Sequence, residues 1–289
     1  MNWRTIAFII LMALCWSSVP SNAAEISCSQ LYTGDEKLEP FEVKIDWGKG
    51  RVPTPYVTCS GGFLRGPILK GDYDKVATFL KAHHPFVSNF KLASPGGDVG
   101  EALKIGRLFR KYLIGTFAPN NEHIEGTGMV HDDVPFLSVG STDLCRGQDC
   151  ICASACALIW MGGVSRFGNV GLHRPRIVDP MYRGLMPAEA STAYNRLLGE
   201  VGAYLTEMEV PKPIIESMVA TSSGDILWVN WLHDGLEQPP SVAEWIDASC
   251  GSDVNSTEEF TPEVWAKETK HAFCTRNLRA SYRGRLAPP

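Results

Sequence analysis

Three short stretches hold the residue types that acyl-transfer chemistry needs. Ser94-Pro95-Gly96-Gly97 has two adjacent glycines, which let a ligand approach main-chain N–H groups, and such N–H groups suit a developing oxyanion. Cys152-Ala153-Ser154-Ala155-Cys156 presents a serine between two alanines, so its hydroxyl is unobstructed. Gly171-Leu172-His173-Arg174-Pro175 supplies a histidine nineteen residues later, and a serine hydroxyl needs such a base to become a nucleophile. Each stretch alone reads equally well as a turn, a small buried serine or a structural histidine. Together they give oxyanion glycines, nucleophile and base in that order. Other candidates are weaker: His131-Asp132-Asp133 resembles a metal patch but reads as solvated loop charge, and His83-His84 falls at a helix end on the surface.

The elements that must position these residues follow from periodicity. Phe41 to Ile45 alternates and predicts a strand, and Gly61-Gly62 is a break. Asp72 can cap a helix through Val76, Phe79 and Leu80, apolar at helical spacing. Phe86 to Leu92 alternates as a strand and runs into Ser94-Pro95-Gly96-Gly97-Asp98. An amphipathic helix starts at Val99, and Leu113 to Ala118 is another short apolar run. Strand, crossover helix, strand is the grammar of a parallel sheet. Residues 119–150 are rich in Asn, Gly, Asp and Pro and read as an insertion. A compact buried helix is expected over 152–161, with Ser154 near its start, and a strand from Arg166 to His173. Helices over 188–208 and 214–220 follow, then a strand over 226–232. Beyond Gln238-Pro239-Pro240, residues 241–289 read as an appendage.

Composition bounds the functions open to the chain. It has 289 residues, 44% of them apolar, and a net charge of −5. That acid excess, without a Lys/Arg block, argues against a nucleic-acid binder working by counterion release. Arg4, the apolar run Ile6 to Trp16 and the small residues Ser21-Asn22-Ala23-Ala24 have the layout of a secretory signal peptide over residues 1–24. An eleven-residue apolar run makes a helix of ~16 Å, too short for a bilayer core of ~30 Å. A periplasmic or secreted protein is expected. Removing the leader removes Cys15 and leaves Cys28, Cys59, Cys145, Cys150, Cys152, Cys156, Cys250 and Cys274. An even count behind an export signal reads as disulfides whose pairing the sequence leaves open. Cys28 and Cys59 could tie the first segment to the core, and Cys250 and Cys274 could close a loop in the tail. The middle four allow a zinc site as the rival reading, although their C-x4-C-x-C-x3-C spacing departs from paired C-x2-C. Asn255-Ser256-Thr257 fits a glycosylation sequon.

Ser94-Pro95-Gly96-Gly97-Asp98 before Glu101-Ala102-Leu103, then Cys152 to Cys156, then Gly171 to Pro175, resembles the proteolytic subunit of the Clp protease. It also resembles the wider ClpP/crotonase superfamily, including its exported bacterial branch. The likeness covers roughly residues 60–235. It implies an α/β fold of repeated ββα units with a parallel sheet over 25–240, to which this chain adds a C-terminal appendage carrying a cysteine pair. It also implies Ser154 as nucleophile, His173 as general base, and Gly97 and the Ala155 N–H as the oxyanion hole with Gly96 beside them. Two departures stand out. The 119–150 insertion brings Cys145 and Cys150 close to Cys152 and Cys156, where a disulfide could pin it over the site's entrance. The expected acid falls in Thr221-Ser222-Ser223-Gly224-Asp225, where Asp225 is the nearest carboxylate but sits a few residues late. Asp225, a neutral Ser222 or Thr221, or a simple dyad are the alternatives.

The expected activity is that of a serine hydrolase acting on a peptide or a small ester or amide. It would need no cofactor, no metal and no ATPase partner, since ATP is not expected outside the cytoplasm. The rival is a peptide-binding protein that has lost turnover. Acyl-CoA chemistry is disfavoured because export removes the chain from the CoA pool. A homo-oligomer is compatible with either reading.

Overall fold

The structure is a computed structural model and describes residues 23–34, 56–119, 150–176, 184–230, 233–252 and 261–289. The expected strand over 41–45, nearly all of the insertion, His131-Asp132-Asp133, Cys145 and the Asn255 sequon lie outside these residues.

The chain forms a five-stranded sheet in the order β1 (Glu25–Gly34), β2 (Tyr56–Arg65), β3 (Asn89–Ala93), β4 (Gly115–Phe117), β5 (Arg166–Phe167). β2 through β5 run parallel, while β1 pairs antiparallel with β2 at the edge. Parallel neighbours require crossovers. Helix α1 (Asp72–Ala82) links β2 to β3, and α2 (Val99–Lys111) links β3 to β4. In β3 the alternation buries Phe90 and Leu92, and in α2 Ala102, Ile105 and Phe109 face the core at helical spacing.

The start of α1 departs from expectation. Gly71, not Asp72, is its N-cap, and Asp72 is fully buried in the first turn. Its carboxylate accepts N–H bonds from Leu69 (2.7 Å) and Ala24 (3.2 Å). His83, expected on the surface, closes α1 half-buried, and its Nδ1 accepts from the Cys59 N–H at 3.4 Å.

The single strand expected from Arg166 to His173 is two. Gly168 (φ 91°) breaks it, because a side chain there would strike the Ala118 carbonyl oxygen at 2.0 Å. β5 stays in the main sheet, whereas β6 (Asn169–Leu172) pairs antiparallel with β7 (Leu227–Asn230).

Helix α3 (Ala155–Met161) is entirely buried. Its close fit depends on Gly162, where a Cβ would lie 2.3 Å from the Gly106 carbonyl oxygen of α2. Helix α4 (Pro187–Glu207) docks on the same surface, and its buried Tyr204 donates to the Leu158 carbonyl at 2.6 Å. Buried Arg166 donates to the carbonyls of Met161 (2.6 Å), Gly163 (3.0 Å) and Met208 (2.8 Å). Desolvation, helped by the nearby Arg110 charge, lowers its pKa to about 9, so it is still a cation at neutral pH. It thereby ties the ends of α3 and α4 to β5.

Helix α5 (Lys212–Ala220) leads to β7. The C-terminal helices α6 (Pro240–Cys250) and α7 (Pro262–Arg285) are joined by the Cys250–Cys274 disulfide. They dock on the sheet through Val242 and Ile246 against Leu113 and Val164. Arg283 reaches from α7 to the carbonyls of Pro85 (3.1 Å) and Leu113 (3.3 Å). Cys28–Cys59 ties β1 to β2. Among the described residues no helix is long and apolar enough to cross a membrane.

Candidate active site

The glycine turn is an extension of the sheet. Ile68 and Gly97 form a parallel bridge in which the Ile68 N–H donates to the Gly96 carbonyl (2.9 Å) and the Asp98 N–H to the Ile68 carbonyl (2.8 Å). In such a bridge the N–H of the central residue points to the opposite side, so Gly97 presents its donor away from Ile68. Both glycines have positive φ, 103° and 143°. A Cβ on Gly97 would lie 2.0 Å from the Ile68 carbonyl oxygen, and one on Gly96 would lie 2.6 Å from the Ser154 Cβ and 3.0 Å from the Ala155 nitrogen. Gly96 therefore lies against the serine turn itself. Two side chains set the turn. Ser94 Oγ, fully buried, accepts from the Gly96 N–H at 3.1 Å, and the Asp98 carboxylate caps α2 by accepting from the Glu101 N–H at 2.8 Å.

Two further parallel bridges, Ser94 with Cys152 and Ala153 with Gly171, carry this ladder to the serine and on to the histidine strand. Ser154 sits between Ala153 and α3 with φ 57° and ψ −123°, a backbone region that strains any residue but glycine by about 1–3 kcal/mol. A strained strand-to-helix turn of this kind thrusts a serine hydroxyl outward. Hydrogen bonds hold it there: the Ser154 N–H donates to the Gly171 carbonyl (2.8 Å), and the Ala157 N–H to the Ser154 carbonyl (3.0 Å). The Cys152–Cys156 disulfide, both residues without solvent exposure, closes a covalent ring around the turn. Cys150 is disulfide-bonded as well, so Cys150, Cys152 and Cys156 offer no thiolate for the zinc alternative. Since Cys152 pairs with Cys156, neither of these two can pin the insertion. Among the described residues no acceptor takes the N–H of Gly97 or of Ala155. These are the donors that the family resemblance implies for an oxyanion hole.

His173 follows directly on β6 and lines a crevice with Ser154, Ala155, Val99, Leu158 and Met218. Its Nδ1 lies 2.8 Å from the Arg174 carbonyl. A carbonyl only accepts, so this contact places the proton on Nδ1 and leaves the Nε2 lone pair free. Among the described residues Ser154 Oγ makes no hydrogen bond, to His173 or to any other group. The crevice is shallow and has room for about one water.

The Asp225 carboxylate is exposed and makes no hydrogen bond or ion pair among the described residues. The β6–β7 register pairs Leu172 with Leu227. Beyond that pair the ladder ends, and the Arg174 N–H donates to the Thr221 carbonyl at 3.1 Å. The Thr221 hydroxyl donates to the Ser217 carbonyl (2.8 Å), and the Ser222 hydroxyl accepts from the Gly224 N–H (3.2 Å). The structure thus brings together Gly96, Gly97, Ser154, Ala155 and His173, with none of the three candidate orienters bonded to the imidazole.

No family model matches the chain, and no curated protein matches it. Among solved structures the chain is similar to a mutant of ClpP1 from Listeria monocytogenes, with a TM-score of 0.38 and 12% identity, over 60% of this chain and 83% of that one. A likeness at this level extends to fold at most and says nothing about which residues act.

Sequence reasoning missed two contributors. Ser94 shapes the glycine turn, and a Ser-x-Gly pattern ahead of a helix was a signal for that local bond. The Arg174 carbonyl that orients His173 left no signal, because a main-chain acceptor is present at every residue.

Proposed function

We propose that this protein is an exported serine hydrolase, a peptidase that acts on small or already unfolded substrates without an ATPase partner. The observation that carries the reading is the Ser154 turn, a strained non-glycine conformation pressed against a double glycine with two uncommitted N–H groups beside it. In the proposed cycle the Ser154 oxygen attacks the substrate carbonyl and its proton passes to His173 Nε2. The carbonyl oxygen, now anionic, takes bonds from the Gly97 and Ala155 N–H groups. The imidazolium then protonates the leaving amine or alcohol, and water completes the second half by the same route. The Arg174 carbonyl keeps the imidazole in the working tautomer, as a positioning group in a Ser–His dyad.

A second reading has its own observation. The unbonded Ser154 hydroxyl and the lack, among the described residues, of a carboxylate bonded to His173 suit a protein that binds an extended peptide without cutting it. One experiment separates the two. The hydrolase labels with a fluorophosphonate probe, and Ser154→Ala does not. If wild type and Ser154→Ala label equally little beside a working control, the hydrolase reading is withdrawn.

A further inference from the structure

The first described residues meet the core at a charged group. Ala24 is 2% exposed and belongs to the main hydrophobic cluster, and the residue before it, Ala23, is only half-buried. The Ala24 nitrogen points at Asp72, whose carboxylate has no solvent exposure, at 3.2 Å from Oδ2. The same oxygen accepts from the Leu69 N–H, while Oδ1 takes Lys75 Nζ at 2.8 Å. Lys75 Nζ also reaches the Ala24 carbonyl at 3.4 Å, so both ends of Ala24 are held at one place. A fully buried carboxylate needs pairing as well as hydrogen bonds, and Lys75 is 47% exposed.

The sequence around this contact reads Ser21-Asn22-Ala23-Ala24-Glu25. Export-linked endopeptidases require small residues at the first and third positions before the bond they cut. Cutting after Ala23 sets Ala23 and Ser21 at those positions, whereas cutting after Ala24 sets Asn22 at the third.

We propose that the Ala23–Ala24 peptide bond is a processing site, and that the ammonium released at Ala24 locks onto buried Asp72. The step is hydrolysis by an export-linked endopeptidase. Water adds across the bond, Ala23 leaves as a carboxylate, and the Ala24 nitrogen takes up protons to become an ammonium. A contact in which only the carboxylate is charged thus becomes an ion pair with charge on both partners. Processing then has a structural result, since it supplies the second cation of an otherwise under-paired buried acid. The leader would end one residue earlier than the 1–24 boundary read from the sequence. The inference rests on the export reading, yet fails separately from it.

The test is to express the full chain in an export-competent bacterium and sequence the N-terminus of the recovered protein. The expected start is Ala24. A start at Glu25 or elsewhere overturns this inference and leaves export standing, while retention of residues 1–23 overturns both. On the processed protein, a succinimidyl ester at neutral pH should label the Ala24 amine about tenfold more slowly, or slower still, than in the denatured chain. Asp72→Asn should abolish that protection and Lys75→Met should keep it. If Asp72→Asn fails to fold, the native-against-denatured comparison still decides. Equal labelling rates in the two states overturn the lock.

Discussion

The two halves of the candidate site are built to different standards. On the serine side the backbone is held from several directions. A disulfide rings Ser154, three parallel bridges run through its neighbours, and Gly96 and Gly97 fit with no room for a methyl group. On the histidine side a partly exposed imidazole is held by one main-chain carbonyl, and the nearest expected carboxylate points into solvent. Strain on the serine side persists because the surroundings over-determine it. Among the described residues the histidine side has no charged partner to stabilise an imidazolium. The contrast is between a rigidly set serine turn and a loosely held imidazole.

The largest expected effect tests that weakness. His173→Ala should lower hydrolysis of an activated ester by about 10³-fold or more, whereas Asp225→Asn should leave the rate within about twofold. A collapse of about 10⁴-fold with Asp225→Asn would make Asp225 the missing acid and erase the contrast, as steady-state kinetics would show at once. Next comes the glycine contact. Gly96→Ala drives a methyl group into Ser154 and should cost about 10²–10³-fold in kcat, with fluorophosphonate labelling slowed in proportion. Unchanged labelling would mean that the turn yields easily.

The ring around Ser154 offers a subtler split. Chain-entropy arguments give the short Cys152–Cys156 loop about 2 kcal/mol and the longer Cys28–Cys59 loop about 3.7 kcal/mol. Replacing the first pair by alanines should therefore lower thermal stability less than replacing the second, yet lower labelling of Ser154 far more. Equal losses of labelling would deny the ring any special part in positioning the serine.

The smallest effect concerns Glu101, which braces the helix behind the glycine turn. Burial alone would push its carboxyl up, but the bonds from Lys104 and from the Tyr73 and Gly71 N–H groups outweigh burial and hold its pKa below the ordinary glutamate value. A carboxylate depressed in the folded state stabilises above the unfolded pKa of about 4.3 and loses that contribution as pH falls through the folded value. Glu101→Gln should cost about 1 kcal/mol at neutral pH. In urea titrations its gap from wild type should close on acidification. A constant gap would assign the effect to shape rather than charge.

Much of this was legible beforehand, for identifiable reasons. The parallel sheet showed itself because α1 and α2 carry clean helical periodicity between short apolar runs. The glycine pair was readable because only glycine adopts the φ values found there. The break at Gly168 was hidden, since a strand-like pattern runs through it and only the nearby Ala118 carbonyl forbids a side chain. Asp72 was misjudged as a cap because a local signal outweighed contacts with Ala24, far away in sequence. The pairing of Cys152 with Cys156 could not be chosen in advance, because pairing depends on the direction of the Cβ vectors and not on spacing. The fate of Asp225 turned on how the chain leaves the β6–β7 ladder, which no local pattern reports.

The bridges that run from Ile68 to Gly97, Ser94 to Cys152 and Ala153 to Gly171 have a thermal consequence. They make the site a seam between the large sheet and the β6–β7 pair, not a loop perched above either. Local fraying is cheap only where backbone bonds can open independently of the core, and here each one opened would unzip a sheet. Heating should therefore leave the Ser154 turn intact until the whole molecule melts, with no temperature at which the protein is folded but that turn already disordered.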